Sequence, residues 1–209
     1  VLYHPLFNFK LWLKLLYVVL KEKVDAIQAE FTCFGIPAVF AKILTHKPLI
    51  LVEHNVETFQ LPRITNLGFF GKEIVRFVEK TACFFSDKVI VMCKEEKKRL
   101  IKIGVDGRKI RVIPHGVDLE AYRKVSRKTK NRIRKKYKLK FPTLIFHGTF
   151  SYKPNYEAIK IIEEKILPKL KKKIKNVKVL AIGNFPPKDV KDSSIIFTGP
   201  VRKLQNYIK

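Results

Sequence analysis

Short apolar runs alternate with longer amphipathic segments along this chain. Before Pro114 the apolar runs predict four strands, at residues 24–30, 48–52, 88–92 and 109–113. Between and before them, apolar side chains recur at near-helical spacing and predict helices at residues 9–22, 38–44, 71–84 and 94–103. Residues 58–70 contain Pro62 and Gly68 and predict a loop. Alternating strands and helices indicate a parallel sheet covered on both faces.

The same alternation resumes after a basic segment, RKVSRKTKNRIRKKYKLK, at residues 123–140. Strands are predicted at residues 141–146, 177–182 and 194–198, and helices at residues 156–173 and 204–208, with a possible kink at Pro168. The chain therefore predicts two α/β domains. Its abrupt first and last helices lead us to expect a fragment of a longer protein.

Composition narrows the class of partner without choosing one. The chain has 44 Lys and Arg residues against 18 Asp and Glu, a net charge of +26, which favours polyanions such as nucleic acid, anionic lipid or phosphorylated substrates. Residues 123–140 can follow phosphates without sequence preference, but we find no known nucleic-acid module and favour a solvated connector. Residues 11–20 are interrupted by Lys14 and predict a core-facing helix, with a membrane-surface helix as the alternative.

The three cysteines argue against a fold held together by disulfides or by zinc. Cys33, Cys83 and Cys93 are widely spaced, and none belongs to a CxxC pair. That pattern argues against a disulfide framework and a zinc site, and it predicts buried, reduced thiols.

Polar residues and glycines follow several predicted strands. In open parallel sheets, ligands bind beyond the carboxyl ends of the strands. The first such segment is Glu53-His54-Asn55-Val56-Glu57, whose side chains either contact a ligand or only satisfy the loop backbone. The second is His147-Gly148-Thr149, where a glycine lets the backbone approach a pyrophosphate or simply makes a tight turn. Gly183 and Gly199 end the last two strands and are open to the same two interpretations.

Taken together, six segments resemble the retaining glycosyltransferases of family 4. They are VEHNVE (52–57), SDKVIVMCKEEKKRL (86–100), KIRVIPHGVDLEAY (109–122), TLIFHGTFSYKPNYEAI (143–159), VKVLAIGN (177–184) and IIFTGPV (195–201). The resemblance implies the α/β GT-B fold, with two Rossmann-like domains, both incomplete here. It places the end of an acceptor-side domain at residues 1–119, a basic hinge or linker at 120–140, and the start of a nucleotide-sugar-binding domain at 141–209.

The resemblance also implies roles for individual residues. His54 matches the histidine that lies near the reacting sugar, and Gly148 matches the glycine near the donor diphosphate. Thr149 stands where the family usually has arginine, and Lys153 is an approximate substitute for its lysine. His115 replaces the usual asparagine of the Pro-Asn-Gly-Val-Asp motif, which we interpret as a tolerated turn substitution. The predicted site thus has His54 as the catalytic residue and, as substrate-binding residues, Glu53, Asn55, Glu57, Gly148, Thr149, Lys153, Asn155 and Gly183.

The expected activity is transfer of a sugar from a nucleotide-sugar to an acceptor hydroxyl, in glycan, glycolipid or cell-surface polysaccharide synthesis. No cofactor or metal is expected beyond the nucleotide-sugar co-substrate, and the acceptor would be a glycan or lipid-linked. We expect a cytoplasmic protein that contacts the inner face of the cell membrane peripherally, with no specific nucleic acid partner. The resemblance implies that two family elements lie outside this sequence: the amino-terminal strand with its glycine-rich loop would precede Val1, and the Glu-x7-Glu element would lie beyond Lys209. The alternatives are a basic α/β binding module for nucleic acid or an anionic membrane surface, and an inactive truncated transferase.

Overall fold

The computed structural model describes residues 4–120, 125–139 and 142–208. Two compact units divide the chain, residues 1–116 and residues 117–209. Each unit contains one parallel sheet. The predicted α/β class, with four strands in the first half and three in the second, is confirmed.

The first unit has a sheet in the order β1-β2-β3-β4, formed by Ile27–Glu30, Leu49–Glu53, Lys88–Val91 and Ile110–Val112. Its helices are α1 (His4–Phe7), α2 (Phe9–Lys21), α3 (Thr32–Thr45), α4 (Glu57–Ile64), α5 (Phe69–Phe85) and α6 (Lys94–Lys102). Leu49, Leu51, Val89 and Ile110 are fully buried, because every second residue of these strands faces the helices. Full burial of such side chains contributes about 1.5–3 kcal/mol each.

Two helices of the first unit differ from prediction. Residues 58–64, predicted as a loop, belong to α4, and α3 begins six residues before the predicted start, at Thr32 rather than residue 38. Gly35-Ile36-Pro37, a segment whose sequence suits a turn or the start of a helix, lies inside α3. At this position α3 packs closely on α5, since a Cβ on Gly35 would come within 2.8 Å of the Cβ of Ala82. Helix-to-helix contact therefore explains this glycine better than a turn does.

The second unit has a sheet in the order β5-β6-β7, formed by Thr143–His147, Lys178–Ile182 and Ile195–Gly199. Helices α8 (Lys153–Ile161) and α9 (Leu167–Lys173) are joined by a π-helical turn at Ile162–Ile166. That turn ends two residues before Pro168, which has no N–H to donate and was the predicted kink. The short α10 (Gln205–Ile208) ends the described chain.

The basic segment predicted as a solvated connector contains a helix, α7 (Arg127–Lys136). Ser126 caps it by accepting a hydrogen bond from the Thr129 N–H at 3.2 Å. Leu139, which follows it, is buried with Leu180 and Ile182 of β6, so this part of the segment belongs to the second unit. Residues 121–124 and 140 of the predicted linker lie outside the described residues.

The three cysteines are free thiols, but only Cys83 is buried; Cys33 is partly buried and Cys93 is exposed. The prediction of three buried thiols is therefore wrong for Cys93, which begins α6 without a side-chain cap. No helix in the described parts of the chain is both long and apolar enough to cross a membrane.

Candidate active site

His54 lies at the carboxyl edge of the first sheet, held by the last residue of β1 and by two neighbouring rings. Its Nε2 is 2.6 Å from Oε2 of Glu30, the last residue of β1. Parallel pairing of β1 with β2 makes this contact possible, because Glu30 is in register with Val52, two residues before His54. The Phe31 N–H continues the pairing by donating to the Val52 carbonyl at 2.9 Å.

Two aromatic rings fix the plane of the His54 imidazole. The Phe31 ring centroid is 4.4 Å away, and the His115 ring stacks on it at 5.2 Å with an interplanar angle of 12°. Phe31 has a φ of 67°, an uncommon conformation for a non-glycine residue. Such strain is concentrated at functional sites. Side chains at or beyond the ends of β1 and β4 thus position one imidazole, which remains about one-quarter exposed.

Glu53, predicted to bind substrate, has an inward side chain that is 1% exposed. Its Oε1 accepts a hydrogen bond from the Thr32 hydroxyl at 2.8 Å, while its Oε2 has no hydrogen-bond partner among the described residues. Burial, and then the negative charges of Glu79 and Glu57, raise the pKa of Glu53 well above its ordinary value. The one hydrogen bond of this carboxyl within the described residues is therefore internal, to Thr32.

Glu57 begins α4, and burial raises the pKa of its carboxyl. The amino end of this helix is held by Glu79 of α5, whose Oε1 accepts from the Glu57 N–H at 2.6 Å and whose Oε2 accepts from the Thr58 N–H at 3.1 Å. Asn55 lies between β2 and α4 and is partly buried. The loop that carries His54 is thus anchored at both ends.

Gly148 and Gly183 bring two backbone segments into close contact at the carboxyl edge of the second sheet. The Gly148 N–H donates to the Ile182 carbonyl at 3.0 Å. Gly183 has a φ of 149°, and a Cβ there would lie 1.8 Å from the Gly148 carbonyl oxygen, which no side chain can do. Position 183 therefore requires glycine because the Gly148 carbonyl occupies the space of a side chain. The sequence alone could not distinguish this close contact from a simple turn.

Asn155 closes the loop that follows Gly148. Its Nδ2 donates to the Thr149 carbonyl at 3.0 Å, and its amide fills the space beside Gly148. Lys153 begins α8 and is exposed, 3.9 Å from Glu157. The amino end of a helix favours anions through its unpaired N–H groups and its dipole.

A cavity of about 250 Å³ opens at this edge, and its lining includes Gly148, Thr149, Gly183 and Asn184. Of the predicted site residues, the structure brings Glu53, His54, Asn55 and Glu57 together in the first unit. It brings Gly148, Thr149, Asn155 and Gly183 together in the second, whereas the ammonium of Lys153 lies near Glu157. Among the described residues, no three His, Cys, Asp or Glu side chains are grouped so as to hold a metal ion.

A sequence profile decides the class of protein. The profile of Glycosyltransferase Family 4 matches residues 1–121, which is more than half of the chain. The chain belongs to glycosyltransferase family 4. No curated protein sequence matches this family 4 chain at a significant level.

Solved structures share the fold of this family 4 chain at low sequence identity. HepE from Anabaena in complex with UDP superposes with a TM-score of 0.73 and 15% identity over 95% of this chain and 54% of its own. A glycosyltransferase from Rickettsia africae gives 0.68 and 16% over 94% of this chain and 52% of its own. Sucrose-phosphate synthase from Thermosynechococcus elongatus gives 0.66 and 17%, over 96% and 52%. The predicted GT-B fold is confirmed, and the chain spans about half the length of these proteins.

Three residues that shape the site were not predicted as part of it: Glu30, Phe31 and His115. Glu30 ends a predicted strand, so comparing the residues after every strand, and not only after the purely apolar one, would have found it. His115 was interpreted only as a turn residue, although it is a second histidine at a strand end. Nothing in the sequence pattern signals the unusual backbone of Phe31.

Proposed function

We propose that this family 4 chain forms part of a retaining glycosyltransferase that moves a sugar from a nucleotide-sugar donor to an acceptor hydroxyl. The observation that carries the proposal is the fixed imidazole of His54, positioned by Glu30 at 2.6 Å and by stacked rings at the carboxyl edge of a parallel sheet. A histidine with fixed orientation can hydrogen-bond one hydroxyl of the transferred sugar and hold it for reaction.

The donor phosphates belong, in this proposal, at the loop after β5. Thr149 is exposed there and lines the cavity, next to the beginning of α8 and the exposed ammonium of Lys153. A helix dipole and one cation would stabilise the negative charge of a departing diphosphate. The structural relatives support this choice of donor, since HepE was crystallised with UDP and with UDP-glucose.

Positioning and charge stabilisation then account for the chemistry that the chain's own residues supply. Glu30 orients His54, and its carboxylate favours an imidazole that donates towards it.

The acceptor is a glycan or a lipid-linked sugar, and the product is a glycan, glycolipid or surface polysaccharide. We place the protein in the cytoplasm, where nucleotide-sugars are made.

The test is turnover of nucleotide-sugars by the full chain, measured as release of nucleoside diphosphate from a panel of UDP- and GDP-linked sugars. His54→Ala is expected to lower turnover about 100-fold or more, as loss of one positioned hydrogen-bond donor does in other enzymes. Glu30→Gln keeps the size of the side chain and is expected to cause a smaller loss, because it acts only through the orientation of His54.

The matched control is His46→Asn. His46 follows α3, on the side where β2 begins, and has a φ of 55° that asparagine adopts readily. Its turnover should equal that of the unaltered chain. Equal activity of His54→Ala and the unaltered chain would contradict the assignment of His54.

A further inference from the structure

The outer face of α5 carries a row of exposed aromatic side chains. Phe70, Ile74, Phe77 and Phe84 recur at helical spacing and are 81%, 61%, 71% and 70% exposed. They lie opposite Val75, Glu79 and Ala82, which the helix buries in the first unit. Soluble domains rarely expose several phenylalanines side by side, and such a patch marks an interaction surface. We call these four residues the α5 outer face.

Basic side chains border this face. Lys72, Arg76 and Lys80 are exposed and spaced four residues apart, so they form a row that turns towards this face along the helix, and Lys80 lies three residues after Phe77 and four before Phe84. Lys109, from the segment before β4, places its Nζ 5.5 Å from the centre of the Phe84 ring. Glu73 is the one acidic residue of α5 on its exposed side, and it lies 4.0 Å from Arg76. The flank is therefore positively charged.

Apolar rings beside a row of ammonium and guanidinium groups match one kind of partner. A helix that lies in the headgroup region of a bilayer buries its apolar face among the acyl chains and pairs its Lys and Arg side chains with anionic headgroups. At 17 residues, α5 is long enough to offer such a face over about 25 Å. We propose that the α5 outer face docks this protein on an anionic lipid bilayer, with the helix parallel to the membrane surface.

A second copy of the chain fits this face less well. Each copy carries a net charge of +26, and a symmetric contact through α5 would bring one basic flank against another. A second exposed apolar surface lies on α2 and includes Phe9 and Leu13. Because α2 adjoins β1, an edge strand of the described sheet, a strand added beside β1 would bring a helix that covers this surface. The α5 outer face instead points away from α3 and the interior strand β2, on which α5 packs.

The test is co-sedimentation of the full chain with vesicles of phosphatidylcholine alone and of phosphatidylcholine mixed with phosphatidylglycerol. Binding is expected only to the mixed vesicles. Phe70→Ser with Phe77→Ser should weaken that binding about tenfold or more, because two exposed rings no longer enter the bilayer. Lys72→Glu, Arg76→Glu and Lys80→Glu together should weaken it on the order of 100-fold, at about 1 kcal/mol for each basic residue.

Matched controls separate docking by α5 from general attraction of a basic protein. Lys165→Glu, Lys169→Glu and Lys172→Glu change the charge equally at exposed positions of the second unit. Leu119→Ser with Phe185→Asn removes exposed apolar side chains of similar size there. Both controls should bind mixed vesicles much more tightly than the α5 variants. If the charge control loses as much binding as its α5 counterpart, or the two α5 variants bind normally, the proposal is wrong.

A fluorescence measurement tests contact with the acyl chains directly. Trp12 on α2 is the one tryptophan of the sequence, so Phe77→Trp adds a single second emitter on the α5 outer face. Its emission should shift to shorter wavelength when mixed vesicles are added. Emission that is already at short wavelength without vesicles, and unchanged by them, would show that another segment of the chain or a second copy covers this face. Neither result bears on nucleotide-sugar turnover with a water-soluble acceptor, so this inference and the proposed function can fail separately.

Discussion

Glu79 should make the first unit less stable as the pH rises towards neutrality. The side chain is fully buried on α5, and it accepts hydrogen bonds from the N–H groups of Glu57 and Thr58 and from the Thr58 hydroxyl. Those bonds favour the ionised form, but removal from water opposes it more strongly. Burial, aided by the charge of Glu57, raises the pKa of Glu79 from 4.5 to about 7.

The direction of the effect follows from proton binding. Between pH 4.5 and about 7 the folded state holds a proton on Glu79 that the unfolded state has released. The folded state is therefore favoured most below pH 4.5, and this contribution is lost as the pH rises through about 7. At 1.36 kcal/mol for each pKa unit, the free energy of unfolding falls by about 3 kcal/mol across that interval.

Glu79→Gln removes the titrating group and leaves an amide oxygen that can still accept from the amino end of α4. The quantity to compare is the free energy of unfolding of the unaltered chain minus that of Glu79→Gln. We expect this difference to fall by about 3 kcal/mol between pH 4.5 and 7. Urea unfolding followed by the fluorescence of Trp12 reports on the first unit alone. Glu53, whose pKa is also raised, remains in both proteins, so comparing them isolates Glu79 and its coupling to Glu53.

The control for this measurement is Glu73→Gln, on the exposed side of the same helix. Its stability should follow that of the unaltered chain at every pH. If the Glu79→Gln curve also ran parallel to the unaltered curve, Glu79 would be ionised throughout, and the reasoning from burial would be refuted.

Two glycine substitutions test the close contacts described above. Gly35→Ala would place a Cβ 2.8 Å from the Cβ of Ala82, and should lower the free energy of unfolding by about 1–3 kcal/mol in the Trp12 assay. The control is Gly68→Ala, which has open space around it and should lower the free energy of unfolding by less than 1 kcal/mol. Equal losses in the two variants would exclude the contact. Gly183→Ala would meet the Gly148 carbonyl at 1.8 Å, so hydrogen exchange of the β5 and β6 amides should quicken; unchanged exchange would contradict this contact.

Most strands were predictable because they are short, mainly apolar runs between polar residues. Leu49 to Val52, for example, are apolar without exception, and the observed β2 differs from prediction by only one residue at each end. Local sequence carries that information, since a short apolar run between polar residues is typical of a buried strand. The same reasoning located every strand-end segment in which a predicted site residue lies.

Helix α4 could not be predicted from its own residues. Pro62 and the weak apolar pattern argue for a loop, but the first N–H groups of α4 are paired by Glu79, 21–22 residues further along the chain. A helix cap supplied by a distant side chain leaves no local signal. The position of Glu30 at a strand end marks it as a candidate, but its pairing with His54 also depends on the register of two parallel strands.

The stereochemistry of the released sugar tests the proposed activity most directly. The full chain is incubated with the nucleotide-sugar that gives the highest turnover, and NMR follows the anomeric proton of the first product formed, before the free sugar can change its anomer. We predict a product with the same anomeric configuration as the donor, formed by the unaltered chain and by His46→Asn but strongly reduced in His54→Ala. An inverted product, or no cleavage of any nucleotide-sugar, would contradict the proposal of a retaining glycosyltransferase.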